Sequence, residues 1–372
     1  TAFDPALLMR EVDGEREMLC LYVDDVLLLA PEHRLKTCWA EVLSEFQATE
    51  PSDCTEYIGV RFPVTTLSAT RCTAVDLRDF ANSIVRDMEA EGIKVNASYV
   101  PITPEAVKKL LYKREKTKGE TVDPKSLRRV QGYIGRLMWL ARTGRPDIGH
   151  AVTLLASVVG TWDEVSEREM QRLVGYLKHT AEQMLHYQVH LHSHSTSHST
   201  MSPPTEDQVQ FRTYVDASLQ EPRSYSGGVI SVCIPGVGEF PIEWWSRRQR
   251  ICVTSTMAAE VIALMEGVTE SAPLRELTKY PVRLLCDNQA AIRVVSQGHS
   301  KAVAAYVRPL RLRMAALKDM VELEQVDVVY IPSKDNVSDL LTKVFARFEQ
   351  ARLAPLVGMR TEDRVGDLVN KD

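Results

Sequence analysis

No Cys-x-x-Cys pair occurs in this 372-residue chain, and its cysteines (Cys20, Cys38, Cys54, Cys72, Cys233, Cys252 and Cys286) are scattered and odd in number. A zinc ribbon and a disulfide framework are thereby excluded, and a reducing, intracellular compartment is the expectation. Also lacking is any apolar run of the length a bilayer demands, so no membrane partner is expected. The start, Thr1-Ala2-Phe3-Asp4, has neither an initiator Met nor a basic and apolar leader, which is expected of a piece of something longer. Charge of one sign does not dominate: 45 Lys and Arg stand against 50 Asp and Glu, and the net charge of -5 names no partner. What is present, 44% hydrophobic and 26% charged residues, excludes a disordered chain. The length leaves room for two or three domains, each with its own core.

Two apolar runs, Met18 to Val23 and Val26 to Ala30, read as strands of a hairpin hinged on Asp24-Asp25. Helical spacing follows from Leu35 to Phe46, and Tyr57 to Phe62 reads as a strand. From about Asp76 to Leu185 the period turns helical, over Leu77 to Met88, Leu127 to Leu140, Ile148 to Val159 and Met170 to His179. Between Pro101 and His150, twelve Lys/Arg against five Asp/Glu form a basic excess suited to a phosphate backbone or to a solvated helical face. The His- and Ser-rich stretch around His190 to Thr200, followed by Pro203-Pro204, reads as a linker. Its irregular histidines, without carboxylates or thiols, argue against a metal tract. Beyond it come strands at Phe211 to Val215, Gly227 to Ile234 and Ile242 to Ser246, and a helix from Thr256 to Glu270. A strand (Val282 to Cys286), two helices (Gln289 to Ser296 and Ala302 to Val321), a strand (Val326 to Ile331) and a final helix entered through Asn336 to Asp339 follow. Three meandering strands and then alternation of helix and strand imply a mixed sheet with helices packed on it.

Four carboxylates stand at element boundaries in that order. Asp216 closes the first strand of the C-terminal half and Asp287 the fourth; Glu260 lies in the first turns of the long helix; Asp339 opens the last one. If the first and fourth strands are neighbours, Asp216 and Asp287 lie side by side. With no Lys or Arg partner evident in sequence, the acids would repel one another unless cations held them. Mg²⁺ suits such hard oxygen ligands, and two ions about 3.5–4 Å apart can activate a water and stabilise a leaving oxygen at phosphorus. Any one of these acids taken alone reads equally as a cap or turn residue.

The motifs around them carry a resemblance. Tyr214-Val215-Asp216-Ala217-Ser218, Arg223-Ser224-Tyr225-Ser226-Gly227-Gly228, Trp244-Trp245-Ser246-Arg247-Arg248-Gln249, Ser255-Thr256-Met257-Ala258-Ala259-Glu260, Cys286-Asp287-Asn288-Gln289-Ala290-Ala291 and Ile331 to Lys343 resemble, in order, the ribonuclease H domain of Copia-type retrotransposon Pol polyproteins. Tyr22-Val23-Asp24-Asp25 resembles the polymerase signature of the same polyproteins. Tyr57-Ile58-Gly59-Val60, Tyr133 to Ala141 and Arg145 to Val152 resemble the palm end and the region leading to ribonuclease H.

The resemblance implies an α/β chain, α+β overall. Residues 1–65 would end a reverse transcriptase palm, 66–187 form a helical thumb or connection, and 188–209 a linker. Residues 210–345 would be the ribonuclease H-like domain and 346–372 a tail. It implies that Asp216, Glu260, Asp287 and Asp339 are catalytic metal ligands, with Asp335 competing for the last role, for Mg²⁺ with Mn²⁺ as a substitute. The substrate implied is the RNA strand of an RNA–DNA hybrid, in the cytoplasm, a virus-like particle or the nucleus. Asn288 and Gln289 would contact the hybrid and Arg247 and Arg248 its phosphates, or serve as a helix cap and a solvated basic turn. Asp24 and Asp25, with Tyr22, would be a polymerase remnant able to hold metal and template-primer. The family's third carboxylate comes from an earlier strand and only twenty-three residues precede Asp24, so no polymerisation by this chain alone is expected.

Two departures stand out: Ala304 to Pro309 replaces a Lys-His-Ile-Asp-Ile-Arg stretch, and Ser333-Lys334 fills a loop where some ribonucleases H carry a His. They leave open a degenerate chain that binds nucleic acid without cutting it. An integrase is disfavoured because Glu260 comes second among the acids, on an early helix.

Overall fold

Three strands near the start, Leu7–Val12, Glu15–Tyr22 and Asp25–Leu29, pair in sequence order as an antiparallel meander. Asp13 and Gly14, both at positive φ (56° and 80°), make the first turn. This is the Asp-Gly chemistry that a two-residue hairpin favours. In the second hairpin Tyr22 faces Asp25, so the turn is Val23-Asp24, one residue earlier than the Asp24-Asp25 hinge expected from the sequence. Val23 takes φ 53° and is 89% exposed. The helix Glu32–Glu45 follows. The strand expected over Tyr57 to Phe62 is instead two short strands, Glu56–Tyr57 and Val60–Arg61, folded back on each other. Ile58 and Gly59 at φ 49° and 75° turn the chain between them, which no continuous strand allows. These elements belong to the first of two compact units, Thr1–Val64 with Ala74–Asp76; the second comprises Thr65–Thr73 and Leu77–Asp372.

The computed structural model describes residues 4–67, 70–116, 123–190, 209–221, 223–234, 238–278, 280, 282–298 and 308–362. Most of the His/Ser linker, the stretch Ala304 to Val307 and the end of the tail lie outside them. Among the described residues no helix is long and apolar enough to cross a membrane.

In the second unit the helices Arg78–Ala90, Pro104–Lys116, Pro124–Thr143, Gly149–Ala156 and Glu164–His179 precede a five-stranded mixed sheet. Asp123 and Asp163 cap two of them, each accepting from the main-chain N–H three residues on. The sheet runs Gly238–Arg248, Tyr225–Ile234, Gln210–Ser218, Val282–Cys286, Val326–Tyr330. Its first three strands are antiparallel and the last two parallel to Gln210–Ser218 or to each other, so the fold is mixed α/β as the order of elements implies. The helix Thr256–Thr278, longer than its apolar pattern indicates, runs through Pro273. Its Ala259, Ile262 and Ala263 share one buried core with Val215, Trp245 and Leu284. Each large side chain so buried contributes about 1.5–3 kcal/mol.

Trp244 and Trp245, adjacent in one strand, are both buried, so both faces of the sheet are covered there. Trp245 packs toward the Thr256–Thr278 side, and Gly228 makes room for it: a Cβ there would fall 2.3 Å from the indole. Trp244 lies on the other side, where its indole N–H donates to the Ala141 carbonyl at 2.6 Å. The helical region is thus the second cover of the sheet, and Thr153 adds a bond to the Ser246 carbonyl at 3.0 Å.

Candidate active site

The parallel pairing of Val282–Cys286 with Gln210–Ser218 matches Leu284 to Thr213 and Leu285 to Tyr214. Continued by two residues, that register brings Asp287 level with Asp216. The first and fourth strands are therefore neighbours, and their acids stand at the same edge. Glu260, on the second turn of the helix packed over those strands, is buried, and Asp216 is 1% exposed. Asp339 arrives from the other end of the domain. It does not open an α-helix; it lies in a single 3-10 turn, Val337–Leu341.

That turn is fixed by Asn336, which is fully buried. Its side-chain amide donates to the Val215 carbonyl at 3.0 Å, and its side-chain oxygen accepts from the Ser338 N–H and hydroxyl. Gly227, opposite Asp216 in the sheet, admits the turn: a Cβ there would lie 2.7 Å from Leu341 Cβ and 2.8 Å from Thr342 Cγ2. Gln249, also fully buried, donates to the Ser226 hydroxyl at 2.7 Å and to the Ala259 carbonyl at 2.9 Å, joining the hairpin to the residue before Glu260.

The result is a cluster in which one oxygen each from Asp216, Asp287 and Asp339 lie within 4.8 Å of one another. Glu260 and Asp287 form an overlapping group with the Cys286 thiol, whose sulfur is 4.0 Å from Glu260 Oε2. Asp335 is exposed and belongs to neither group. A cavity of about 580 Å³ opens over the cluster, with Asn288, Gln289 and Lys343 on its walls. Burial, then repulsion from Asp216 and Asp287, holds the Glu260 carboxyl well above the usual range. Burial, then Asp216, pushes Asp339 up to about 7. Three carboxylates presenting close, partly desolvated oxygens form a donor set that fits a hard divalent cation.

The acids are not without a cationic partner, as the sequence pattern suggested. Lys343 Nζ donates to Asp216 Oδ1 at 3.1 Å and to Asp339 Oδ1 at 2.5 Å, and the Thr342 hydroxyl donates to the other oxygen of Asp216. Although burial opposes it, the pull of Asp216 and Asp339 raises the ammonium's pKa.

No protein-family model matches the chain. It is similar to the retrovirus-related Pol polyprotein from transposon RE2 of Arabidopsis thaliana, 24% identical over 356 residues, which cover 92% of this chain and 22% of that one. It is also similar to the corresponding polyprotein from transposon TNT 1-94 of Nicotiana tabacum, 25% identical over 237 residues, 61% of this chain and 16% of that one. Its homologues are retrovirus-related Pol polyproteins of Copia-type transposons. The chain spans about a fifth of the length of these curated relatives. Among solved structures it is similar to LC11-RNase H1 in complex with an RNA/DNA hybrid (20% identity, 36% of this chain and 94% of that one, TM-score 0.28). Ribonuclease H1 from Halobacterium salinarum is another (14% identity, 36% and 94%, TM-score 0.27).

In this Pol-related chain Asn288 caps the helix Gln289–Gln297, accepting from the Ala291 N–H at 3.0 Å, while it and the exposed Gln289 also face the cavity. Arg247 pairs with Glu270 at 2.7 Å and lies 5.9 Å from the Trp245 ring centre, so a phosphate would compete with that carboxylate. Arg248 is matched with Tyr225 across the strands. Asp24 and Asp25 sit at the exposed hairpin tip with Tyr22, and among the described residues neither joins a cluster of three or more ligand groups. Lys343, Asn336 and Gln249 are site residues that the sequence pattern alone does not single out. The signal for the first was its position four residues after Asp339, the reach of an i,i+4 ion pair.

Proposed function

We propose that the sheet domain of this Pol-related chain is a divalent-metal-dependent endonuclease that cuts the RNA strand of RNA–DNA hybrids. The observation that carries it is the convergence of Asp216, Asp287 and Asp339 within 4.8 Å at one sheet edge, with Glu260 behind them. Asp216, Glu260, Asp287 and Asp339 are the residues that would hold Mg²⁺, or Mn²⁺ in its place. Bound there, the metal would supply an activated water and stabilisation of the leaving oxygen. The chain's own contribution is to fix the acids in place before substrate arrives: two by strand register, one by the long helix and one by the Asn336-locked turn. Gln289 on the cavity wall would contact the hybrid, Asn288 would orient it, and Arg247 and Arg248 would meet its phosphates. The paired acids Asp24 and Asp25, with Tyr22, are read as part of a polymerase site able to hold metal beside template and primer.

Incubating a labelled RNA–DNA hybrid with the chain and Mg²⁺ tests this. RNA cleavage that vanishes in Asp287→Asn is the expected result, and cleavage undiminished by that change would reject the assignment. A second reading, a chain that binds nucleic acid without cutting it, is favoured by Lys343 already neutralising part of the cluster. Salt-sensitive hybrid binding with no hydrolysis at any Mg²⁺ concentration would select it.

A further inference from the structure

Lys343 stands where a cation is wanted. Its ammonium bridges Asp216 and Asp339, at 3.1 and 2.5 Å, and so uses oxygens of two of the three carboxylates that converge within 4.8 Å. We propose that Lys343 is a tethered counter-ion that holds Asp216 and Asp339 together until a divalent cation displaces it, and so sets the affinity of the site for that cation. The inference rests on reading the acidic cluster as a metal site.

Three features carry it. An ammonium is a compact point charge on a flexible four-carbon stem, able to leave one partner for another, unlike a forked guanidinium locked in two bonds. The Lys343 side chain is 37% exposed, so it is not trapped among the acids. It also lines a second cavity of about 510 Å³, which shares Ser218 with the first. An ammonium swung out of the cluster therefore has open space beside it, on a wall that carries both Glu221 and Lys108. Asp216 keeps its alignment through this exchange, because the Thr342 hydroxyl holds its other oxygen. Lysine and ion compete for the same two carboxylates, Asp216 and Asp339, so the charge the lysine supplies weakens the hold on the incoming ion.

The test uses the full chain, with Mn²⁺ as the probe and binding read by electron paramagnetic resonance in the wild type, Lys343→Gln and Lys343→Arg. Lys343→Gln is expected to bind Mn²⁺ about tenfold or more tighter, as removal of one screened charge beside the ion requires. It should also melt lower than wild type without metal and regain the difference when Mn²⁺ is added. Lys343→Arg, which keeps the charge, should stay near wild-type affinity or bind more weakly. Equal or weaker binding by Lys343→Gln overturns the proposal. A measurement on the unaltered chain stands beside it: Mn²⁺ or Mg²⁺ should raise the reactivity of Lys343 toward an amine-labelling reagent, read by peptide mass, and unchanged reactivity also overturns it. If no form of the chain binds Mn²⁺, the metal-site reading itself fails, a result distinct from binding that ignores Lys343.

Discussion

Asn336 donates its side-chain amide to the main-chain carbonyl of Val215, 121 residues earlier, at 3.0 Å and with no exposed surface. That bond clamps the turn carrying Asp339 onto the strand carrying Asp216. Asn336→Ala should therefore leave the Val215 carbonyl and the Ser338 hydroxyl short of partners, at about 1–3 kcal/mol for each buried group. Urea denaturation checks the stability and hybrid cleavage the displacement of Asp339. Asn336→Asp keeps the acceptor for Ser338 but sets a buried carboxylate against the Val215 carbonyl, and should cost at least as much as Ala near neutral pH. A midpoint unchanged in Asn336→Ala would mean that other contacts hold the turn.

The same turn depends on the missing side chain at Gly227. A methyl there would meet Leu341 and Thr342 below 3 Å, so Gly227→Ala should push the turn off the sheet and cost about 1–3 kcal/mol as an overpacked site. Gly132, inside the helix Pro124–Thr143, has nothing within 4 Å of the equivalent position. Gly132→Ala should instead stabilise by about 0.5–1 kcal/mol through helix propensity alone. Thermal unfolding of the two variants is the comparison; shifts of the same sign would refute the packing argument.

Much of the sheet was legible because its signals are local. Val282 to Cys286 begins and ends where expected, an apolar run that closes on an acid, whereas the neighbouring of the first and fourth strands, only a condition in the sequence reading, comes from the pairing itself. What is not legible depends on long-range pairing or unusual turns. Ile58-Gly59 is not a familiar hairpin pair, so the fold-back read as one strand. The strand Met184–His190 falls across the end of the helical pattern and the start of the expected linker, and one of its partners, Met359–Arg360, lies far along the chain. The helix Pro104–Lys116 did carry a start signal, Thr103 followed by Pro104, and the Thr103 hydroxyl accepts from the Ala106 N–H at 3.3 Å. Of the candidate site, residue types and order were readable, but the contacts of Lys343, Asn336 and Gln249 exist only once remote segments meet.

The covering of the sheet by the helical region yields a prediction about excision. Trp244 is bonded to Ala141, and Tyr225 packs edge-on against His150, with ring centres 5.3 Å apart. A piece starting at residue 209 keeps the acids but uncovers both aromatic side chains. It should be less stable than the full chain and prone to self-association, since a contiguous exposed apolar patch drives that. Light scattering and thermal melting of the two forms decide it. A monomeric short form with full stability would mean that the helices contribute little to the sheet.

Acidity and metal binding are linked through Asp339. In the folded, metal-free protein burial and Asp216 raise its carboxyl to about 7. In the unfolded chain the same group loses its proton at about pH 4. Between those values the folded state holds the extra proton, so this contribution to stability is complete below about pH 4 and is lost as the pH rises through about 7. Glu260, raised by burial and by Asp216 and Asp287, acts in the same direction. A divalent cation takes the deprotonated form, so its uptake in this window releases protons and is weakened by acid. The rise in melting temperature given by Mg²⁺ should be larger at about pH 8 than at about pH 5.5, and calorimetry in buffers of different ionisation enthalpy should show the release. Asp339→Asn should melt higher than wild type without metal at about pH 8, and should gain less from Mg²⁺. Equal Mg²⁺ shifts at the two pH values would separate the acidic cluster from metal binding.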